Sequence, residues 1–323
     1  MVPEPPLVER FRRDLDALIA PHARIGIAVS GGPDSLALLL LAAAARPGGI
    51  EAATVDHALR DGSRAEADLA ATVCRRLGLS HAILTAEWAD KPDTAVQERA
   101  RAERYRLLAA WTRERGLQAL ATAHHADDQA ETVLMRLNRG AGVRGLAGMR
   151  AVARLPGSDL ALLRPLLGWR HSELAKLCEA AGIEPAQDPS NQDDRFERVR
   201  MRRAMAESGS LDPDALARSA ANLAMADEAL DWAADRLWAQ SVGKSGDELV
   251  YERADAPAEI ERRIVARAVT ILASEGAEEP LRGAELDRLL SALADRGTMT
   301  LRGVLCRGGD RWSFASAPPR RRK

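Results

Sequence analysis

Up to about residue 205, apolar positions alternate between short unbroken runs and longer stretches that repeat every three or four residues. Residues 24–30, 50–56, 81–87 and 117–124 have the run pattern of buried strands, and residues 36–45, 63–77, 94–115 and 126–138 the periodicity of helices. Such alternation predicts β-α-β units, hence an α/β fold with a parallel sheet and helices on both faces. In sheets of that kind ligands lie beyond the carboxyl ends of the strands. The pattern changes at residues 207–212 (ESGSLD), which places a boundary between a domain of residues 1–208 and a smaller, mainly helical one of residues 209–323. Pro213 suits the first position of a long helix reaching about residue 240. Helices over 258–274 and 283–294 follow, and residues 298–315 read as two strands around RGGD, a terminal β-hairpin.

The chain has 323 residues, 46% of them apolar and 29% charged, which fits two globular, soluble domains. The formal net charge of −1 exerts no global pull on nucleic acid. Local charge is different: the arginine-rich stretch 195–203 and the tail Arg320, Arg321, Arg322 and Lys323 are either phosphate contacts or solvated faces. Cys74, Cys178 and Cys306 are far apart and no C-x-x-C occurs, which argues against a disulfide framework, an iron–sulfur cluster or a zinc site. The N-terminal stretch has no apolar signal core, and the longest apolar run, 36–45, is about half what a bilayer requires. A cytoplasmic protein without a membrane partner is the expectation. Aromatic residues are only 3% of the chain, and Trp111, Trp169, Trp232 and Trp238 are assigned to the core rather than to base stacking.

Ser30, Gly31, Gly32, Pro33, Asp34 and Ser35 join the first strand to an apolar helix. Two glycines let the backbone approach an anion. Successive amides at a helix N-terminus then form an anion-binding nest, to which the two serines add hydroxyls. Asp34 is at odds with a phosphate unless it holds Mg2+ that bridges the phosphates. The string is neither the Walker pattern nor G-x-G-x-x-G.

Three further strings carry chemistry. VDHALR ends the second strand; Asp56 and His57 either contact a nucleotide or cap the strand end. Arg101 and Arg104 share a helix face as phosphate contacts or as an ordinary charged surface. HHADDQAET (124–132) is the densest: His124 and Asp128 share a face, as do Asp127 and Glu131, and a His–carboxylate pair at a strand end binds Mg2+ or positions a base. The glycine-rich stretch 139–148 reads as a mobile loop over the site.

SGGPDS resembles the loop of the N-type ATP-pyrophosphatases, the PP-loop enzymes. With VDHALR, ARAERY, HHADDQAET, Arg164–Pro165–Leu166–Leu167 and DPSN followed by arginines, the ordered set is similar to the tRNA(Ile)-lysidine synthetase family, over residues 24 to about 205. The resemblance implies ATP and Mg2+ as cofactors, and free L-lysine and the CAU-anticodon tRNA-Ile as partners. The wobble cytidine would be adenylated at O2 and AMP displaced by lysine, a carbon–nitrogen ligase reaction. It implies that Ser30, Gly31, Gly32, Pro33 and Ser35 cradle pyrophosphate, that Asp34 and Asp128 hold Mg2+, and that His124 sits by the reacting centre. Asp56 and His57 fall to the nucleotide, while Arg104 and either Arg198 or Arg202 offset developing charge. Val199 stands where the family often has Asn, so both arginines stay candidates. The helical C-terminal domain is expected to bind the tRNA body, and a homodimer is compatible with the sequence. The competing readings are a cytidine thiolase, which would want cysteines in its motifs, and a non-catalytic nucleotide- or RNA-binding protein, which would have no use for Asp34, His124 and Asp128 together.

Overall fold

A computed structural model of the chain describes residues 2–59, 62–88, 96–186, 195, 197–273, 281 and 283–318. Arg60 of VDHALR, the DPSN string at 188–191 and the basic tail 320–323 lie outside the described residues. The chain divides into two compact units, residues 1–140 with 145–221, and residues 141–144 with 222–323.

In chain order, the elements up to the division are α1 (Pro5–Asp16), β1 (Ile25–Ala28), α2 (Pro33–Ala45), β2 (Ile50–Asp56), α3 (Ser63–Arg76), β3 (His81–Thr85), α4 (Val96–Glu114) and β4 (Ala119–Ala121). Then come α5 (Ala126–Asn138), α6 (Val143–Leu146), β5 (Val152–Arg154), β6 (Ala161–Leu163), α7 (His171–Ala180), α8 (Glu197–Ser208) and α9 (Pro213–Ser241). The division falls inside α9, so the boundary expected at 208/209 lies just before the helix that crosses it. The sheet has the order β3-β2-β1-β4-β6-β5 and is parallel except for the edge strand β5, which runs against β6.

The central strand β1 explains the layering. Ile25 and Ile27 are fully buried in one core with the apolar α2, which α1 and α7 cover in turn. That is why α2 is apolar on every side rather than amphipathic. Gly26 faces the other layer, where a Cβ would come within 2.6 Å of the Trp111 ring on α4. Glycine here reflects close approach of a helix to the strand. Within these layers the ends of β1 and β4 point toward the N-termini of α2 and α5, and the conspicuous motifs sit at those turns.

The second unit contains the remainder of α9, β7 (Val242–Ser245), β8 (Glu248–Glu252), α10 (Ala258–Leu272), α11 (Gly283–Ala294), β9 (Thr298–Leu301), β10 (Val304–Arg307) and β11 (Arg311–Ser316). Its sheet is antiparallel, β7-β8-β11-β10-β9, and Tyr251, Trp312, Phe314, Val269 and Leu289 fill its core. The sequence suggested one terminal hairpin of two strands; three strands occupy that stretch and β7-β8 is an additional hairpin. The turn between β9 and β10 was hidden because Arg302 and Gly303 both have positive φ, 49° and 76°, in a place where Asn-Gly is the usual signal. The core assignment of Trp232 is corrected too: it is 63% exposed. On α9 the inward positions are held by Asp227, Ala234, Leu237 and Trp238, and Trp232 falls on the opposite sector. Trp111 and Trp169 are buried as expected. No described helix is long and apolar enough to cross a membrane.

Candidate active site

β1 ends and α2 begins across the Ser30–Ser35 turn. Gly31 has φ of 86°, a left-handed conformation, and a Cβ there would press 3.0 Å from the Glu66 carbonyl oxygen. Gly32 is the N-cap residue and Pro33 occupies the first helical position, where its missing N–H costs nothing. Ser35 Oγ accepts from the Ser30 N–H and pairs with Ser30 Oγ, both at 3.1 Å, and itself donates to the Gly32 carbonyl at 3.0 Å. The Ala186 N–H donates to Gly31 O at 3.0 Å. The loop is therefore braced from within, and the first amides of α2 have no acceptor inside the helix.

Asp34, on the first turn of α2, faces two histidines. His171 Nδ1 lies 2.7 Å from Asp34 Oδ1, and His125 Nε2 lies 3.5 Å from Asp34 Oδ2. His125 is 4% exposed and caps α5; its Nε2 is also 3.4 Å from Asp128 Oδ2, and its Nδ1 is 3.5 Å from Asp127. Burial lowers the His125 pKa, but the hydrogen bonds to Asp127 and Asp34 and the charge of Asp128 outweigh it and raise the value to about 10. Nδ1 is also 3.4 Å from the Asp128 N–H, a contact that only a neutral ring could accept. That contact is long, and three carboxylates decide in favour of the cation. Burial likewise raises the Asp34 pKa, and the hydrogen bonds from His125 and His171 reverse this and hold it at about 2.

The N-terminus of α7 is fixed by α1. Trp169 Nε1 donates to Asp14 at 2.8 Å, Arg10 stacks 4.0 Å over the Trp169 ring, and the Trp169 carbonyl accepts the Ala126 N–H at 2.8 Å, tying α7 to the start of α5. Asp127 then caps α7, accepting from the His171 N–H at 2.8 Å and from Arg170 Nη2 at 3.0 Å.

His124 looks into a different environment. Its Nδ1 is 3.0 Å from Thr122 Oγ1. Burial, and then the charges of Arg164, Arg198, Arg101 and Arg104, lower its pKa to about 3. His124 is thus a neutral ring among four guanidiniums drawn from α4, α8 and the segment after β6. Arg198 Nη2 donates to Asp128 at 2.9 Å and its Nε to Glu131 at 2.6 Å, while Arg202 Nε donates to the other Glu131 oxygen at 2.7 Å. Glu131 is 1% exposed and orients both arginines. Arg198 also donates to Asp128 and its charge bears on His124.

The structure therefore brings together Ser30–Ser35, Asp34, Asp128, His124, Arg104, Arg198 and Arg202. Asp56 is instead committed to its own turn, accepting from Ser63 Oγ at 2.5 Å and from the Ala58 N–H at 3.0 Å. His57 offers its carbonyl to Trp88 Nε1 at 2.7 Å. Sequence reasoning missed His171 and Arg170 as members of the cluster, and gave His125, Asp127 and Glu131 no role of their own although it placed them in the HHADDQAET string. The doubled histidine and acid at 124–128 were the available signal for His125 and Asp127. Nothing in sequence ties His171 to Asp34, 137 residues away. The end of the glycine-rich stretch is held to α5: Arg136 donates to the Gly145 and Gly148 carbonyls, and the Gln129 amide pairs with both backbone groups of Met149.

Residues 7–208 match the family described as the PP-loop domain. A tRNA(Ile)-lysidine synthase of Novosphingobium aromaticivorans is 49% identical over 316 residues, 97% of this chain and 94% of that protein. That of Zymomonas mobilis is 41% identical over 302 residues, 93% and 90% of the two chains. A solved U34-tRNA thiolase from Methanococcus maripaludis, carrying an iron–sulfur cluster, superposes with a TM-score of 0.55 at 18% identity over 67% of this chain and 79% of its own, a likeness of fold. With a PP-loop that contains Asp34 and is braced from within, and with 41–49% identity to these relatives over nearly its full length, this chain belongs to the tRNA(Ile)-lysidine synthase family.

Proposed function

We propose that the chain adenylates O2 of the wobble cytidine in the CAU-anticodon tRNA-Ile and then joins free L-lysine to C2. In the first step O2 attacks the α-phosphorus of ATP, the bond to the β-phosphate oxygen breaks, and pyrophosphate leaves. In the second the lysine ε-amine attacks C2, the C2–O2 bond breaks, and AMP departs with the oxygen while the amine sheds its proton. Pyrophosphate fits the amides of the Ser30–Ser35 turn, since the first turn of a helix concentrates unsatisfied N–H groups and positive potential.

Asp34 and Asp128 fit a cation: both carboxylates already flank the His125 imidazolium, and oxygen donors suit Mg2+. When bound there, Mg2+ would neutralise the charge of the triphosphate. Asp34, paired with His171 and His125, stays ionised for that role across the physiological range. Arg104 and Arg198 place positive charge where phosphate charge develops, an effect worth roughly 10²–10³ in rate when one such donor is lost. A neutral His124 in their midst donates or accepts a hydrogen bond without adding a cation. Glu131 positions Arg198 and Arg202.

The observation that carries this reading is the meeting of a neutral histidine, four arginines and the carboxylates of Asp34 and Asp128 beside a helix-capping glycine turn. The test is pyrophosphate release from ATP. It is expected to require tRNA-Ile and to proceed without lysine; release driven by lysine alone would mean that the amino acid, not the cytidine, is activated.

A further inference from the structure

The long helix α9 has two unlike faces within the second unit. Three of its carboxylates pair with arginines of α10: Asp227 is buried and accepts from Arg263 at 2.7 Å, Asp231 accepts from Arg263 at 2.7 Å, and Asp235 accepts from Arg267 at 2.6 Å. On the opposite sector Asn222, Met225, Trp232, Arg236 and Gln240 follow one another at three- to seven-residue spacing and are all exposed. At 100° per residue these five fall within roughly 80° of one another. Met225 and Trp232 are each 63% exposed, an unusual position for two large apolar side chains. The Arg236 guanidinium lies 4.9 Å from the Trp232 ring centroid, and among the described residues it makes no ion pair. No acid lies in the stripe; Glu228 flanks it.

We infer that this stripe is an RNA-docking surface, on which an unpaired or splayed nucleotide of the tRNA stacks on Trp232 while Arg236 meets the adjoining phosphate. This rests on the proposed tRNA substrate. Three features choose RNA over another occupant. An indole with an arginine stacked against it is the combination that binds a base face and a phosphate together. Asp227, Asp231 and Asp235 are paired with arginines of α10, and within the stripe itself the one charged side chain is the Arg236 cation, so the stripe offers a phosphate a local positive charge in a chain whose net charge of −1 provides no general attraction. One Trp and one Met among polar side chains also make a strip far narrower than the roughly 800 Å² per partner that a stable protein interface uses.

The test compares wild-type protein with Trp232→Ala, Trp232→Phe and Arg236→Ala in tRNA-Ile binding and in the KM for tRNA. The side chains are exposed, so melting temperatures are expected to match. Trp232→Ala should weaken tRNA binding roughly tenfold, in line with the loss of one base–aromatic stack, with the KM for ATP unmoved. Trp232→Phe should recover most of that affinity, and Arg236→Ala should lower the salt dependence of binding by about one ion. Equal tRNA affinity in wild type and Trp232→Ala would overturn the docking surface while leaving the function intact. So would a wild-type dimer, seen by sedimentation, that Trp232→Ala dissociates without changing tRNA affinity. If wild-type protein itself failed to bind the tRNA, both the surface and the proposed function would fall.

Discussion

Glu131 has no solvent to fall back on, whereas Arg198 and Arg202 on either side of it are 41% and 50% exposed. Replacing it with glutamine keeps the shape and removes the charge that holds both guanidiniums. Because the arginines can reach water, the loss of stability should be modest, about 1–2 kcal/mol. The loss of oriented positive charge should be larger in consequence, lowering tRNA-dependent pyrophosphate release by roughly 10²–10³. Urea melts and single-turnover rates of Glu131→Gln separate the two; a rate within a few-fold of wild type would remove Glu131 from the positioning of the site. His171 provides a second test. Its hydrogen bond to Asp34 raises its pKa above the ordinary 6.5, and Asp34 is ionised throughout. The pair's stabilisation is therefore complete below pH 6.5 and disappears as the pH rises through the elevated value. At about half exposure it is worth about 0.5 kcal/mol. The stability difference between wild type and His171→Asn should be measurable at pH 6 and gone in alkaline solution, whereas a difference that grows with pH would reverse the assigned charge.

At the scale of elements, the catalytic architecture is a set of helix N-termini. α2 begins at the SGGPDS turn, α5 at the His125 cap and α7 at Asp127, so three helices present their first turns to one region. Ser35→Ala deletes the acceptor for Ser30 and the donor to Gly32. It should cost about 1 kcal/mol in stability and raise the KM for ATP several-fold. A KM unchanged by the substitution would mean that the turn does not need its internal brace. Much of this was legible in the sequence. The β-α alternation gave the layer order because apolar periodicity is imposed by local burial; SGGPDS and HHADDQAET announced themselves as polar strings at strand ends, and the arginines of α8 as a local basic run. What was not legible came from partners distant in the chain. The α1–Trp169 anchor that sets α7, the Asp34–His171 contact and the capture of Asp56 by Ser63 depend on which elements the fold brings side by side. The β9–β10 turn escaped because Arg302 adopts a conformation usually left to Asn or Gly, and Trp232 was misplaced because scarcity of aromatics says nothing about helix phase.

For the molecule as a whole, a net charge near zero means that any hold on tRNA comes from patches, and its affinity should fall steeply with salt only in proportion to the few phosphates those patches meet. The relatives named above match nearly the full length, so the sequences of both units belong to what this chain shares with the family. The most direct measurement of the central claim is the mass of the tRNA-Ile nucleosides after incubation with the protein, ATP and lysine. One cytidine should gain the mass of lysine less one water, and only when all three are present. A cytidine of unaltered mass despite ATP consumption, or one that has exchanged its oxygen for sulfur, would contradict the proposed reaction.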